Sequence, residues 1–261
     1  MEVRMEHLEG ADAGIVLLGL DRPSAKNALG RQLLSELREG LKLLGTDPAV
    51  RVVIVHSTVP GVFCAGADLK ERAGMSPDEA ATFVQGIRAA FTELEALPMP
   101  VIAALEGVAF GGGLELALAA DLRVAGGDTK VGLVETALAI IPGGGGTQRL
   151  PRLIGASRAK ELIFTARRID AEEAGRLGLV DRVVAAGQAL ASALDLAREI
   201  LPNGPIALRM AKRAVNKGLE LDLASGLALE QACYAQVIPT KDRLEGLAAF
   251  RDKRKPQYRG E

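Results

Sequence analysis

The spacing of apolar residues changes along this chain and marks out its elements. EVRMEHL and GIVLLGL predict a hairpin, the segment from Arg31 to Leu44 repeats leucines at helical spacing, and RVVIVHS is apolar as a strand covered on both faces should be. The stretch Val59 to Gly74 has no such period and is expected to be loop. Ser76, standing before a striped run, predicts a capped helix from Pro77 to about Ala96, and VIAALEG predicts the strand after it. LRVAG and KVGLVE continue the pattern; then Pro142 and the glycines of IIPGGGGTQRLPRLIG predict an irregular loop. From Ser157 onward the period is helical: SRAKELIF, AEEAGRL and, past the short strand LVDRVV, GQALASALDLAREI, IALRMAKRAVNKG, DLASGLALEQACYAQ and KDRLEGLAAFRDKR. The expectation is an α/β domain followed by a mostly helical last third, without a repeat of fixed period. The polar tail from Lys253 to Glu261 is expected to be frayed or held by a partner.

Composition narrows what such a fold does. At 261 residues the chain can bury one large core, and 32 Lys+Arg against 33 Asp+Glu leave no general field for nucleic acid or an anionic membrane. No apolar run spans a bilayer, and MEVRMEHLEG lacks a secretory core, so the expected location is cytoplasmic. Cys64 and Cys233 lack metal or redox spacing and are expected as buried small side chains. With only His7 and His56 present, chemistry falls to carboxylates and no metal site is expected.

Two glycine-bearing turns are candidates for it. In AFGGGLELAL a strand runs into bare backbone and a helix start, where unpaired N–H groups face outward and Glu115 projects from the first turn. A tightly packed corner with a helix-favourable acid would look the same. In FCAGADLK a second small-residue turn follows a strand; two amides converging on one carbonyl oxygen would stabilise developing negative charge. Glu135, alone in VGLVETALAI, is either a buried acid with a task or the cap of a short helix. The run GGGGTQR lacks the Gly-Lys-Ser/Thr ending of a phosphate loop, and no dinucleotide fingerprint follows the first strand.

Taken in order, RPSAKNAL, VFCAGADLKER, GVAFGGGLELALAADLRVA, VGLVETALAIIPGGGGTQRLPRLIG, AKELIFTARRIDAEEAGRLGLVDRVV and the C-terminal ACYAQVIPTKDRLEGLAAFRDKRKPQYRGE resemble the enoyl-CoA hydratase/isomerase (crotonase) superfamily over nearly the whole chain. The resemblance implies an α/β crotonase (ClpP-like) spiral of ββα repeats over residues 1–198 and a helical trimerisation region over 199–261. It implies a homo-oligomer, trimer or dimer of trimers, acting on an acyl-CoA thioester, with coenzyme A arriving as part of the substrate and no further cofactor. By position, the oxyanion amides fall on Ala67 and Gly112 and the paired acids on Glu115 and Glu135. Water and substrate contacts fall on Gly143, Asp68, Leu69 and Lys70, and coenzyme A contacts on Arg22, Ala25, Lys26 and, towards a neighbouring subunit, Phe250 and Lys253. Both acids being present favours hydration over isomerisation. AIIPGGGGTQRLPR and ACYAQVIPTKDRLEG are most similar to the branch that hydrates methylglutaconyl-CoA, with Lys70 or Arg72 as possible partners for a distal carboxylate. A general short-chain enoyl-CoA hydratase, or an isomerase, is the alternative. Some members of that branch bind RNA through a lysine-spaced helix; here that helix offers Arg31, Ser35 and Glu39, and no nucleic-acid partner is expected.

Overall fold

A computed structural model describes all 261 residues. In chain order the elements are β1 (Val3–His7), β2 (Ile15–Leu20), α1 (Arg31–Thr46), β3 (Val52–Ser57), β4 (Val62–Cys64), α2 (Leu69–Ala73), α3 (Pro77–Glu95), β5 (Val101–Leu105), β6 (Val108–Phe110), α4 (Gly112–Leu118), β7 (Leu122–Gly126) and β8 (Lys130–Gly132). A 3-10 turn (Glu135–Leu138), α5 (Gly146–Ile154), α6 (Ala156–Thr165), β9 (Ile169–Asp170), α7 (Ala171–Leu177), β10 (Arg182–Val184), α8 (Ala189–Ile200), α9 (Pro205–Gly218), α10 (Leu223–Val237) and α11 (Lys241–Arg251) complete it.

The strands sort into two sheets, one ordered β1-β2-β3-β5-β7-β10 and the other β4-β6-β8-β9. Successive passes of the chain add one strand to each: β3 then β4, β5 then β6, β7 then β8, with helices between passes. This is the ββα spiral, and within it the neighbours β3–β5–β7 and β4–β6–β8 run parallel. Along β3, Val53 and Val55 face the main core while Val52 and Ile54 face a second cluster under α8 with Ala189, Ala193 and Leu196. Both faces are covered, so its sequence is apolar without alternation.

The segment Val59 to Gly74 is more ordered than its sequence suggests, holding β4 and α2. The loop read from IIPGGGGTQRLPRLIG stops at Gly145, and α5 runs through Pro151. The helix stands because it is packed from both sides, against α4 and α6. The tail is not frayed: the Asp242 carboxylate accepts from the N–H groups of Arg259 (2.7 Å) and Gly260 (2.8 Å) and holds it along α11. Helices α9 and α10 pack together, and Lys212 on α9 reaches the core through Asp121 (2.7 Å) and the Met99 carbonyl (2.9 Å). No helix is long and apolar enough to cross a membrane.

Candidate active site

The spiral brings the ends of β4 and β6 side by side, and the two glycine-bearing turns leave from those ends. Leu29 and Asp68 knit the first turn to the RPSAKNAL loop: the Leu29 N–H donates to the Gly66 carbonyl (2.8 Å) and the Asp68 N–H to that of Leu29 (3.0 Å). Between them the Ala67 N–H has no acceptor within the chain. Gly112 opens α4, so its N–H has no intrahelical acceptor either. A Cβ on Gly112 would lie 3.6 Å from the Ala67 nitrogen and 2.7 Å from a Leu29 methyl; two free amides thus front one space where no side chain fits. Gly66 and Gly111, at φ +106° and +50°, make the turns that aim them.

Glu115, one turn into α4, is 3% exposed. Its Oε1 accepts from the Gly146 N–H at 2.7 Å, at the start of α5, so the N-terminal end of that helix faces the carboxylate. Burial raises its pKa, partly offset by the N–H groups of Gly146 and Gly144 and the charges of Arg149 and Arg88. The glycine run is the wall around this acid. A Cβ at Gly144 would fall 2.9 Å from Glu115 Oε2, one at Gly146 3.0 Å from Oε1, and one at Gly145 would run into Arg149 Nη1. Arg149 fixes the run by donating to the Gly144 carbonyl (3.0 Å) while paired with Glu95 (2.6 Å). Residue-by-residue reading missed this bracing; an arginine placed four residues after the only left-handed glycine of the run is the sign that was available.

Glu135 begins the 3-10 turn and its Oε1 lies 3.1 Å from where a Gly111 Cβ would be, so it borders the second amide turn. Its Oε2 is buried without a partner. Burial first, then the charge of Glu115, push its pKa up to about 7, against the pull of Arg72. The charge of Glu115 thus favours the protonated form of Glu135, and the two titrate together. The space offers two amide donors and two carboxyls whose hold on protons is strengthened by burial.

The remaining candidates are spread differently. The Gly143 N–H is free and its carbonyl accepts from Arg88 Nε (3.1 Å). Asp68 does not face this space as a free acid: it caps α2 through the N–H groups of Lys70 and Glu71 and pairs with Arg22 at 2.8 Å. Arg22 is likewise occupied, by Glu2, Asp68, Glu71 and the Ala28 carbonyl. Neither has its charge free for a ligand. Leu69 and Lys70 are exposed on α2, and Arg72, half-buried on the same helix, has no ion pair or hydrogen bond from its guanidinium. Ala25 and Lys26 form a turn tied to the first amide strip by the Ala65 N–H donating to the Lys26 carbonyl (3.1 Å). Phe250, 87% exposed, and Lys253 lie at the end of α11. Cys64 is buried, its thiol pushed up to about 12 by desolvation and donated to the Asn27 carbonyl, hence unreactive.

Residues 10–261 match the model of the enoyl-CoA hydratase/isomerase family. The chain is 58% identical over 264 residues to human mitochondrial methylglutaconyl-CoA hydratase, covering all of this chain and 78% of that protein. It is 54% identical to mouse mitochondrial enoyl-CoA hydratase domain-containing protein 2 over 99% of this chain and 89% of that one. The crystal structure of enoyl-CoA hydratase from Bacillus anthracis superimposes with a TM-score of 0.97 at 48% identity, all of both chains being covered. With a spiral of ββα passes and both glycine turns in place, this chain belongs to the enoyl-CoA hydratase/isomerase family. The cytoplasmic location expected from the sequence is overturned by these relatives, since the human and rodent proteins are named as mitochondrial. Fold physics carries no mark of compartment, since the same core and surface serve in either.

Proposed function

We propose that the chain is a hydro-lyase adding water across, or removing it from, the α,β double bond of an acyl-CoA thioester, with 3-methylglutaconyl-CoA giving 3-hydroxy-3-methylglutaryl-CoA, a step of leucine breakdown, as its preferred reaction. The thioester oxygen sits between the N–H groups of Ala67 and Gly112, which favours enolate charge on it and leaves the β-carbon electron-poor. A water held by Glu115, Glu135 and the Gly143 N–H attacks that carbon. One carboxylate takes the water's proton as the π pair moves towards the thioester oxygen. The other, protonated, acid then gives its proton to the α-carbon as the carbonyl re-forms. Main-chain amides, two acids and a water carry every step. Coenzyme A lies against Ala25 and Lys26, with Phe250 and Lys253 of a neighbouring copy closing over it. Residues 1–198 form the catalytic unit and 199–261 the assembly region of a trimer or a dimer of trimers.

The observation that carries the hydratase reading is the second acid: a proton relay between two carbons needs one carboxyl, whereas buried Glu115 and half-buried Glu135 are both raised in pKa, the second in part by the charge of the first. Identity alone does not choose the acyl group, since relatives named for different substrates lie within a few per cent of each other. Arg72 supports an acyl group with a distal carboxylate, offering an unpaired guanidinium whose charge reaches Glu135. The test is a panel of crotonyl-CoA, 3-methylglutaconyl-CoA and a β,γ-unsaturated thioester. Hydration with the highest kcat/KM for 3-methylglutaconyl-CoA is expected, and E115Q and E135Q should each lower kcat by about two to four orders of magnitude. Double-bond migration without hydration would make the enzyme an isomerase.

A further inference from the structure

The geometry points to a second binding site, for a small phosphate-class oxyanion, in the cavity where the starts of β2 and β3, the start of α9 and the C-terminal tail meet. Its volume is about 340 Å³, and Arg51, Arg209 and Arg259 all line it. None of these three guanidiniums forms an ion pair. In a chain that pairs most of its arginines, three bare ones around one cavity call for a shared anion.

Arg51 supplies the strongest sign. Its Nη2 donates to the carbonyls of Leu201 (3.0 Å) and Asn203 (2.6 Å), which fixes the guanidinium, yet its Nε is buried with no acceptor at all. A buried donor left unmade is costly, and the charge of an anion in the cavity beside this guanidinium would offset part of that cost. Arg209, half-buried, makes only long contacts to the Pro48 (3.4 Å) and Val50 (3.5 Å) carbonyls, so most of its donors are free. Desolvation, and to a lesser degree the charge of Arg209, push the Arg51 pKa down against the pull of Asp242. The carboxylate whose charge reaches Arg51, Asp242, already has both oxygens engaged by the main-chain N–H groups of Arg259 and Gly260. Asp242 therefore holds the tail that brings Arg259 to the cavity and does not fill it. Three donors from separate parts of the chain favour a ligand with several acceptor oxygens over a monovalent halide.

The ligand's source is either free phosphate or the phosphate of a nucleotide, and the test separates them. Isothermal titration of the full-length protein with inorganic phosphate and with adenosine 3′,5′-bisphosphate, at fixed ionic strength, is compared for wild type, R209Q and R259Q. R51Q is avoided because Arg51 holds two carbonyls of the α8–α9 link. Saturable binding of either probe by wild type, weakened at least about tenfold in R209Q and R259Q, is the expected result, with crotonyl-CoA hydration retained as the check of folding. Equal binding by all three proteins, or none by wild type at 10 mM probe, on the order of a weak anion site, overturns the proposal. Should R209Q not fold, R259Q, altered on the exposed tail, decides alone.

Discussion

Arg72 is where substrate choice becomes testable at a single residue. Its guanidinium is half-buried and unpaired, so a neutral acyl chain leaves it unsatisfied while a distal carboxylate completes it. R72M should lower kcat/KM for 3-methylglutaconyl-CoA by roughly 10- to 100-fold, as the loss of a charged hydrogen bond does, and leave crotonyl-CoA within about threefold. Equal losses on both substrates would remove Arg72 from specificity. Glu135 makes a prediction in pH. Its folded pKa of about 7 lies above its ordinary 4.5, so between those values the folded chain holds more proton than the unfolded one. Its contribution to stability is therefore full below pH 4.5, falls as pH rises through that window, and is gone above 7. Urea unfolding of wild type and E135Q should give a stability difference that moves in favour of E135Q from about pH 5 to 7 and then levels. A difference that stays flat across that range would mean Glu135 is not so shifted. Both acids stood out in the sequence, Glu115 one turn after the glycines and Glu135 alone in an apolar run, though each also had a purely structural explanation there. The inward closure of Arg22 and Asp68 was not, since an arginine and an aspartate 46 residues apart reveal their pairing only in three dimensions.

Among the elements, the glycine run and α5 carry the largest share of what the sequence concealed. Glycine and proline read as breakers, which held for Pro142 to Gly145 but not for the helix after them. Helix α5 draws its order from packing against α4 and α6, and local spacing does not encode that. Gly145, at φ +114°, is the joint. G145A adds roughly 1–2 kcal/mol of left-handed strain and drives a methyl into Arg149, so Tm should fall by several degrees. Because Gly146 donates to Glu115, kcat should fall at least about tenfold while KM changes little. Unchanged kcat in a folded G145A would detach the loop from catalysis. Helices α1 and α3, the latter with its Ser76 capping box, were legible because each buries one continuous apolar stripe.

For the molecule as a whole, the spiral was implied by family resemblance and not by any repeat, because each pass differs in length and keeps only its strand–strand–helix order. The C-terminal helices leave Leu223, Leu227, Leu244, Leu247 and Phe250 exposed in the single chain, more apolar surface than an isolated protein tolerates well. Sedimentation should give a trimer or hexamer, and L227K with L244K should shift it towards monomer; a monomeric wild type would end the assembly proposal. The order of passes also has a consequence on the ribosome. A nascent chain that has emerged as far as β8 already holds Ala67, Gly112 and Glu115, but Glu135 and the Gly146 N–H that partners Glu115 are still unmade or inside the exit tunnel. Synthesis thus makes the two amide turns before the segment that carries Glu135 and the N–H that partners Glu115, so the two acids can come together only after the amides they serve.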